Sequence, residues 1–413
     1  MLVPAEQTAR RPADAQRAEI VVGVHGGADP EDVIRTGHDL ARQVEARFPD
    51  KQAVVLLLGD RGGEVPPGTA RAPDAPEPRV PLVVWPEPKT GQTAIEAMLR
   101  AAETFDAAAC ALVVAHGEDA PPQDARHLLG PIVDDGVDFV APCYSAHRFE
   151  GVLTTGVVYP LTRALFGKRL RQPIGSELAV SRRLAAHLLG EEWNLDPTHA
   201  GAGLWLVTAV LSGEFKVCQS FLGARPRRLA EAPGDLAAAL VKVVGLLFHG
   251  MRTHASAWQR VKGSQTVKTY GEPAALDGES GAGQPQVASM LSAFKLGYQE
   301  LWRLWGAVLP PQTLLALKRL STVSEEHFAM DDALWARIVY DFAVGYHLGV
   351  MDRALLLRSM TPLYLGWAAG FVHEARDVDQ PGVEARVERL CRAFEAAKPY
   401  LISRWRWPDR FNP

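Results

Sequence analysis

The sequence predicts an α/β fold, a mostly parallel sheet with helices on both faces, followed by an α-helical C-terminal extension. Short apolar runs ending in glycine or aspartate alternate with helix-forming segments from residue 19 to about 141. That alternation is how βαβ units read in sequence. Past about residue 235 the segments become long and favour helix throughout. The 413 residues also exceed what one core ordinarily organises, so a large second part is expected.

The elements follow in order. Glu19-Ile20-Val21-Val22-Gly23-Val24 is a first buried strand, and Asp29-Pro30 opens a helix through residue 47, Pro30 suiting its first turn. Residues 52–58 form a second strand ending at Gly59-Asp60, and after a Pro/Gly-rich loop residues 80–85 form a third. A helix over 93–105, a strand over 110–115, a helix over 124–135 and a strand over 138–141 complete the pattern. Helices are expected over 236–251, 286–305, 311–318, 330–353, 354–374 and 383–404. Residues 1–18 read as a disordered leader, 19–235 as the sheet domain and 236–413 as the helical extension. A Gly/Ser/Pro-rich flexible linker occupies 271–286.

Composition narrows the function classes. Apolar residues make up 47%, charged residues 22%, and the formal net charge is −4, as in an ordinary soluble protein. This balance gives no electrostatic case for nucleic acid or an anionic membrane, although it leaves room for local basic patches. No segment reaches the roughly 20 uninterrupted apolar residues of a membrane span; Lys242 and His249 interrupt 241–251. The leader has no apolar core of a secretory signal. Cys110, Cys143, Cys218 and Cys391 have no metal or redox spacing, which fits reduced buried thiols in a cytoplasmic protein.

The segment Gly167-Lys168-Arg169-Leu170-Arg171-Gln172-Pro173-Ile174-Gly175-Ser176-Glu177-Leu178 is the most distinctive. Pro173 removes a donor and biases Gln172 to extended geometry, so Arg171 to Gly175 is not helix. Ser176 reads as a helix cap, with Glu177 in the first turn and Leu178, Val180, Leu184 and Leu188 on one side. This segment resembles the core of retaining sugar-nucleotide transferases of the glucosylglycerate and mannosylglycerate synthase type, which carry an RQPxGG-acid motif. Tyr144, Arg148, Phe149, Glu150, Gly151, Thr154, Tyr159-Pro160-Leu161, Phe166-Gly167, Trp193, Trp205, Thr208, Val217-Cys218-Gln219 and Trp258 continue the likeness.

The resemblance implies a GT-A nucleotide-sugar domain over 19–235. It assigns Glu177, Arg171 and Arg148 to catalysis and Tyr144 and Thr154 to the acceptor. His25, Gly26, Asp60, Lys89, His116, Gln172, Arg225 and Arg227 fall to the donor. Read without the resemblance, Gly23-Val24-His25-Gly26-Gly27 is either a tight strand-to-helix turn or a dinucleotide-phosphate loop, though its spacing is not GxGxxG. Lys89, in Lys89-Thr90-Gly91-Gln92-Thr93-Ala94, is either an anion ligand near a helix N-terminus or a solvated lysine.

The family holds a divalent cation with Asp-x-Asp after the fourth strand. Here that position reads Val114-Ala115-His116. The family's Gly-x-Asp appears as Gly201-Ala202-Gly203, and its Leu-Gly-x-Lys-x-His as Leu222-Gly223-Ala224-Arg225-Pro226-Arg227. No metal or other cofactor is therefore expected, unless His116, Glu118 and Asp119 substitute as ligands for magnesium or manganese.

Two functions from different classes remain. One is a metal-independent hexosyltransferase acting from a sugar nucleotide on a small carboxylate or phosphate acceptor. The other is a degenerate relative that binds ligand or a partner without turnover. The aromatic-rich tail (Trp302, Trp305, Trp335, Tyr340, Tyr346, Trp367) reads as helix packing or a homo-oligomer interface.

Overall fold

The computed structural model describes residues 17–26, 30–58, 78–85, 93–115, 125–173, 175, 177–191, 202–224, 236–274 and 286–408. The chain forms two compact units that interleave in sequence. Unit 1 comprises Met1–Ser145, Leu170–Pro226 and Val267–Ala275; unit 2 comprises Ala146–Arg169, Arg227–Thr266 and Leu276–Pro413. The sequence reading instead draws one boundary near residue 235.

In chain order the first elements are β1 (Ile20–His25), α1 (Pro30–Arg47), β2 (Ala53–Leu58), β3 (Leu82–Trp85), α2 (Ala94–Thr104) and β4 (Ala109–Val114). Then come α3 (Ala125–Val133), β5 (Phe139–Ser145), α4 (Tyr159–Phe166), β6 (Leu178–Ser181), α5 (Arg182–Gly190), α6 (Ala202–Ser212) and β7 (Val217–Ala224). The remainder is α7 (Leu236–Thr253), α8 (Ala255–Trp258), β8 (Lys268–Tyr270), α9 (Val287–Trp305), α10 (Pro311–Ser321), α11 (Asp332–Leu348), α12 (Arg353–Ser359), α13 (Thr361–Ala375) and α14 (Gln380–Arg406).

Unit 1 is built on a sheet of order β3-β2-β1-β4-β6-β5-β7-β8. Every neighbouring pair is parallel except β4–β6 and β6–β5, so among the described strands β6 alone runs the other way. The expected α/β class is what forms. Central strands β1, β2 and β4 are buried almost end to end, as strands covered on both faces must be. Helices α1 and α3 pack together over one face, and α2 with α5 over the other. Gly37 of α1 lets that helix lie close to the sheet, where an added Cβ would sit 3.2 Å from Leu82. Thr93 caps α2 by accepting from Glu96 N at 3.2 Å.

One expected element is corrected. Residues 178–181 are strand, and the helix begins only at Arg182, with Ser181 accepting from Leu184 N as its cap. Leu178, Ala179 and Val180 are buried between β4 and β5, where ladders on both sides outweigh the helical spacing. Glu177 therefore stands at the head of a strand. Residues 354–374 likewise form two helices, because Pro362 sits at the first turn of α13 and interrupts the run.

Unit 2 is helical, and its packing is rich in aromatic contacts. Trp335 stacks on Trp367 at 5.8 Å, and Trp367 on Phe371 at 5.4 Å. Trp335 Nε1 donates at 2.9 Å to the carbonyl of Gly156, within a π-helical segment Thr154–Val158 that leads into α4. A Cβ on Gly156 would overlap the Trp367 ring. Trp305, Trp335, Tyr340 and Trp367 are buried, as the packing reading expects, whereas Trp302 is exposed. Helix α7 has the length and apolarity of a membrane span, with mean hydropathy 1.4. Yet Leu240, Val244, Leu247, Phe248 and Met251 are buried, and the helix packs on α11 and α12. Its 18 residues cover about 27 Å, short of a typical hydrocarbon core.

Polar groups pin α4 to α14. The buried Arg163 guanidinium bonds Glu388 at 2.5 and 3.0 Å and Glu395 at 2.9 Å. Lys398 donates to the carbonyls of Ala164, Leu165 and Val261 at 2.7–3.0 Å, capping the end of α4. Burial lowers the Lys398 ammonium to about 8. Hydrogen bonding from Arg163 holds the Glu388 carboxyl at about 2, below its usual 4.5.

A folded-state value below the unfolded one means that Glu388 contributes stability above about pH 4.5, and that this is lost as pH falls through about 2. Chemical denaturation followed by tryptophan fluorescence should therefore show unit 2 losing stability over that window. Arg163→Met should remove about 3–5 kcal/mol at pH 7, because it leaves two carboxylates without their cation. It should also flatten the acid dependence. Unchanged stability in Arg163→Met would contradict the assignment.

Candidate functional site

From β1 the chain builds outward to β2 and β3, then returns to add β4 on the other side of β1. In open α/β sheets the carboxyl ends at such a reversal form a crevice where ligands bind. The β1 end carries His25 and Gly26, and the adjoining β4 end carries Val114 and Ala115. The ladder continues past the strands, with Ala115 N donating to His25 O at 2.8 Å. Gly26 has φ of +72°, a left-handed conformation that turns the chain sharply off the strand. A Cβ there would lie 3.4 Å from Val114.

Because β6 runs antiparallel, its first residues lie at this same carboxyl edge. Leu112 of β4 pairs with Gly23 on one side and Leu178 on the other. Glu177 is thus level with Val24, two strands away, or about 10 Å. Its side chain is fully buried and accepts a hydrogen bond from the hydroxyl of Tyr144 on β5.

Residues 171–177 are fastened to the edge by side-chain amides. The β5–β7 register shifts between Cys143 and Ser145, opposite the extra residue of β7, where Gly223 has φ of +101°. On its other side β5 pairs with β6 only at Phe139 and Val140, and further along Gln172 bonds the strand: its Nε2 donates to Tyr144 O at 2.7 Å, and Tyr144 N donates to its Oε1 at 3.2 Å. Arg171 N donates to Gln219 Oε1 at 3.0 Å, and Gln219 Nε2 to Thr269 Oγ1 at 3.0 Å. Gly175 fits tightly over Pro142, whose ring a Cβ would overlap. Tyr144, Gln172 and Glu177 are therefore one hydrogen-bonded group, with Arg171 attached to the next strand.

The other sequence-predicted positions divide. Asp60, Lys89, His116, Arg225 and Arg227, with the substitute ligands Glu118 and Asp119, lie outside the described residues. Arg148 and Thr154 belong to unit 2. Arg148 Nη1 donates to the carbonyls of Ala375, Arg376 and Val378 at 3.3, 2.7 and 2.9 Å, at the end of α13. Thr154 opens the π-helical segment. Sequence reasoning missed the part of Thr269 and treated Gln219 only as a motif match. The signal for Gln219 was the alternation along β7, which leaves it half-buried beside buried Cys218 and Ser220.

Thiol chemistry has no support here. Burial pushes Cys110 and Cys218 up to about 12, and all four cysteines are buried and outside any disulfide. For a divalent cation, Val114 and Ala115 offer no side-chain oxygen. Among the described residues, no group of three histidines, cysteines, aspartates or glutamates is placed to hold a metal.

No family model and no curated protein matches the chain. Similar solved structures include a mycobacterial protein at 22% identity, covering 60% of this chain and 78% of that one, with a TM-score of 0.37. Glucosyl-3-phosphoglycerate synthase of Mycobacterium tuberculosis is similar at 18% identity, covering 60% and 85%, with a TM-score of 0.37. A mannosyltransferase of Pyrobaculum calidifontis in complex with GDP-Man and Mn2+ is similar at 14% identity, covering 98% and 93%, with a TM-score of 0.38. These likenesses are too distant to assign a family.

The amide clamp makes a definite expectation. Gln172→Ala should cost about 1–3 kcal/mol, because the backbone N–H and carbonyl of Tyr144 lose their partners together. Gly175→Ala should also destabilise, through the overlap with Pro142. Urea denaturation of both variants checks this, and wild-type midpoints in both would contradict the clamp.

Proposed function

We propose that the protein is a glycosyltransferase that moves a hexose from a sugar nucleotide to a small carboxylate- or phosphate-bearing acceptor. The observation that carries the reading is Glu177. The acid of the sequence motif is held by Tyr144 at the carboxyl edge of the sheet, beside the reversal between β1 and β4. The bond between the anomeric carbon and the diphosphate oxygen breaks, leaving its electron pair on the diphosphate. The acceptor oxygen bonds that carbon and loses its proton.

In this reading Glu177 accepts hydrogen bonds from donor-sugar hydroxyls, and the Tyr144 hydroxyl fixes its orientation. Arg171 and Gln172 hold the segment at the edge. Asp60 binds the nucleoside, His25 and Gly26 border the base, and Lys89, His116, Arg225 and Arg227 face the diphosphate. Guanidinium groups suit that charge because they are permanently cationic and bind phosphate oxygens in pairs. Tyr144 also serves the acceptor side.

A second reading is a binding protein that has lost turnover. Val114, His116 and Gly203 stand where the family that the motif resembles has carboxylates, which favours that alternative. Both readings share nucleotide-sugar binding; product formation separates them.

Calorimetric titration with a panel of uridine, guanosine and adenosine diphosphate sugars should find a ligand whose affinity falls about tenfold in Asp60→Ala and in Glu177→Gln. Chelator should leave that affinity unchanged. Absence of any bound sugar nucleotide, or undiminished affinity in both variants, would overturn the reading. Loss of binding on chelation would instead assign a metal to His116, Glu118 and Asp119. Release of nucleoside diphosphate in the presence of glycerate or phosphoglycerate identifies the enzyme; binding without release identifies the degenerate form.

A further inference from the structure

Unit 2 carries a surface feature that the transferase reading does not use. Helices α11 and α12 meet at a corner where Leu348, Val350 and Leu355 are 46%, 42% and 43% exposed. Gly349 caps α11 in the left-handed conformation with φ of +65°, and nothing lies within 4 Å of where its side chain would be. The corner therefore faces open space. These three apolar side chains fall within eight residues of sequence, whereas apolar side chains exposed singly need no explanation.

Arginines outnumber acids around the corner. Arg353 lies over the Tyr346 ring at 4.8 Å, and Tyr346 meets Phe248 of α7 at 5.8 Å. Arg252, at the end of α7, is close enough to act electrostatically on both His249 and His347, and Arg353 acts on His249. Arg358 is exposed one turn beyond Leu355. Among the described residues, Arg252, Arg353 and Arg358 form no ion pair with a carboxylate. The corner's own acid, Asp352, accepts from Leu355 N at 2.8 Å and caps α12.

We propose that this corner docks the protein on an anionic lipid bilayer, with Leu348, Val350 and Leu355 entering the interface and Arg252, Arg353 and Arg358 meeting the headgroups. Apolar side chains edged by arginine suit this boundary, since the apolar tips reach the acyl region while the cations stay at headgroup level. Lysine or arginine near an anionic leaflet adds electrostatic attraction that salt screens. A second copy of the chain fits less well, because a two-fold contact here would bring like charges together. An acidic peptide would need a cleft, whereas Gly349 faces open space. The surface is independent of the nucleotide-sugar reading and stands or falls separately from it.

Vesicle flotation of the full chain tests the proposal. It compares vesicles of phosphatidylcholine alone with vesicles containing about 30% phosphatidylglycerol, a composition chosen to give the surface a strongly negative potential. Binding should favour the anionic vesicles by at least about tenfold and weaken at high salt. It should be lost in Arg252→Glu, Arg353→Glu, Arg358→Glu combined, and in Leu348→Ser, Val350→Ser, Leu355→Ser combined. Circular dichroism and sedimentation confirm that each variant keeps its fold. No binding to anionic vesicles by the wild-type protein would overturn the inference, as would binding that survives both sets of substitutions. A change in self-association without a change in vesicle binding would assign the corner to a second copy and overturn it equally.

Discussion

The antiparallel placement of β6 is the constraint on which the candidate site depends. Among the described residues seven strands run one way, and β6 is inserted between β4 and β5 running the other. A strand in that orientation must begin at the edge where its neighbours end. The residues leading into it are thereby carried across the carboxyl ends of the sheet. Leu178, Ala179 and Val180 are buried on both sides, so a one-residue slip would turn Leu178 and Val180 to the opposite face. Core packing therefore sets the height of Glu177 above the sheet, and the Tyr144 hydroxyl sets its direction.

The amide side chains carry that precision into the loop. Gln172 pairs with the backbone of Tyr144 beyond the short β5–β6 ladder, and Gln219 holds Arg171 N while donating to Thr269. Glycine is required at 175 because Pro142 fills the space a side chain would need. Each bond is worth only about 0.5–1.5 kcal/mol, but their geometry removes alternatives for a segment that is neither helix nor strand. Unit 2 uses ionic pins of a heavier kind. Arg163 joins α4 to Glu388 and Glu395 of α14, and Arg386 bonds Asp332 at 2.8 Å through two nitrogens.

Much of the sheet was legible in the sequence because central parallel strands need apolar residues on both faces. Ile20 to Val24 and Val54 to Leu58 therefore read as uninterrupted apolar runs. The strand Leu178–Ser181 was not legible: it passes into α5 without a turn, and Leu178 and Val180 fit a helical spacing as well as an alternating one. The break at Pro362 was visible in principle, since proline at a helix's first turn marks a start as readily as an interruption. Interleaving of the units was hidden because residues 146–169 find their partners more than 200 residues away, as Arg163 does in Glu388. At the site, the motif exposed Arg171, Gln172 and Glu177. The exchange of bonds between Gln172 and Tyr144 joins residues 28 apart in sequence, which no local pattern encodes.

The central claim is that residues 171–177 and the end of β5 border a nucleotide-sugar pocket at the carboxyl edge of the sheet. Photoaffinity labelling with diazirine-bearing nucleotide diphosphate sugars, followed by peptide mapping, tests it most directly. The account predicts label on the peptides containing Tyr144 and Arg171 to Glu177, displaced by excess unlabelled ligand. Label that resists competition, or that falls only on peptides remote from these two segments, would contradict it.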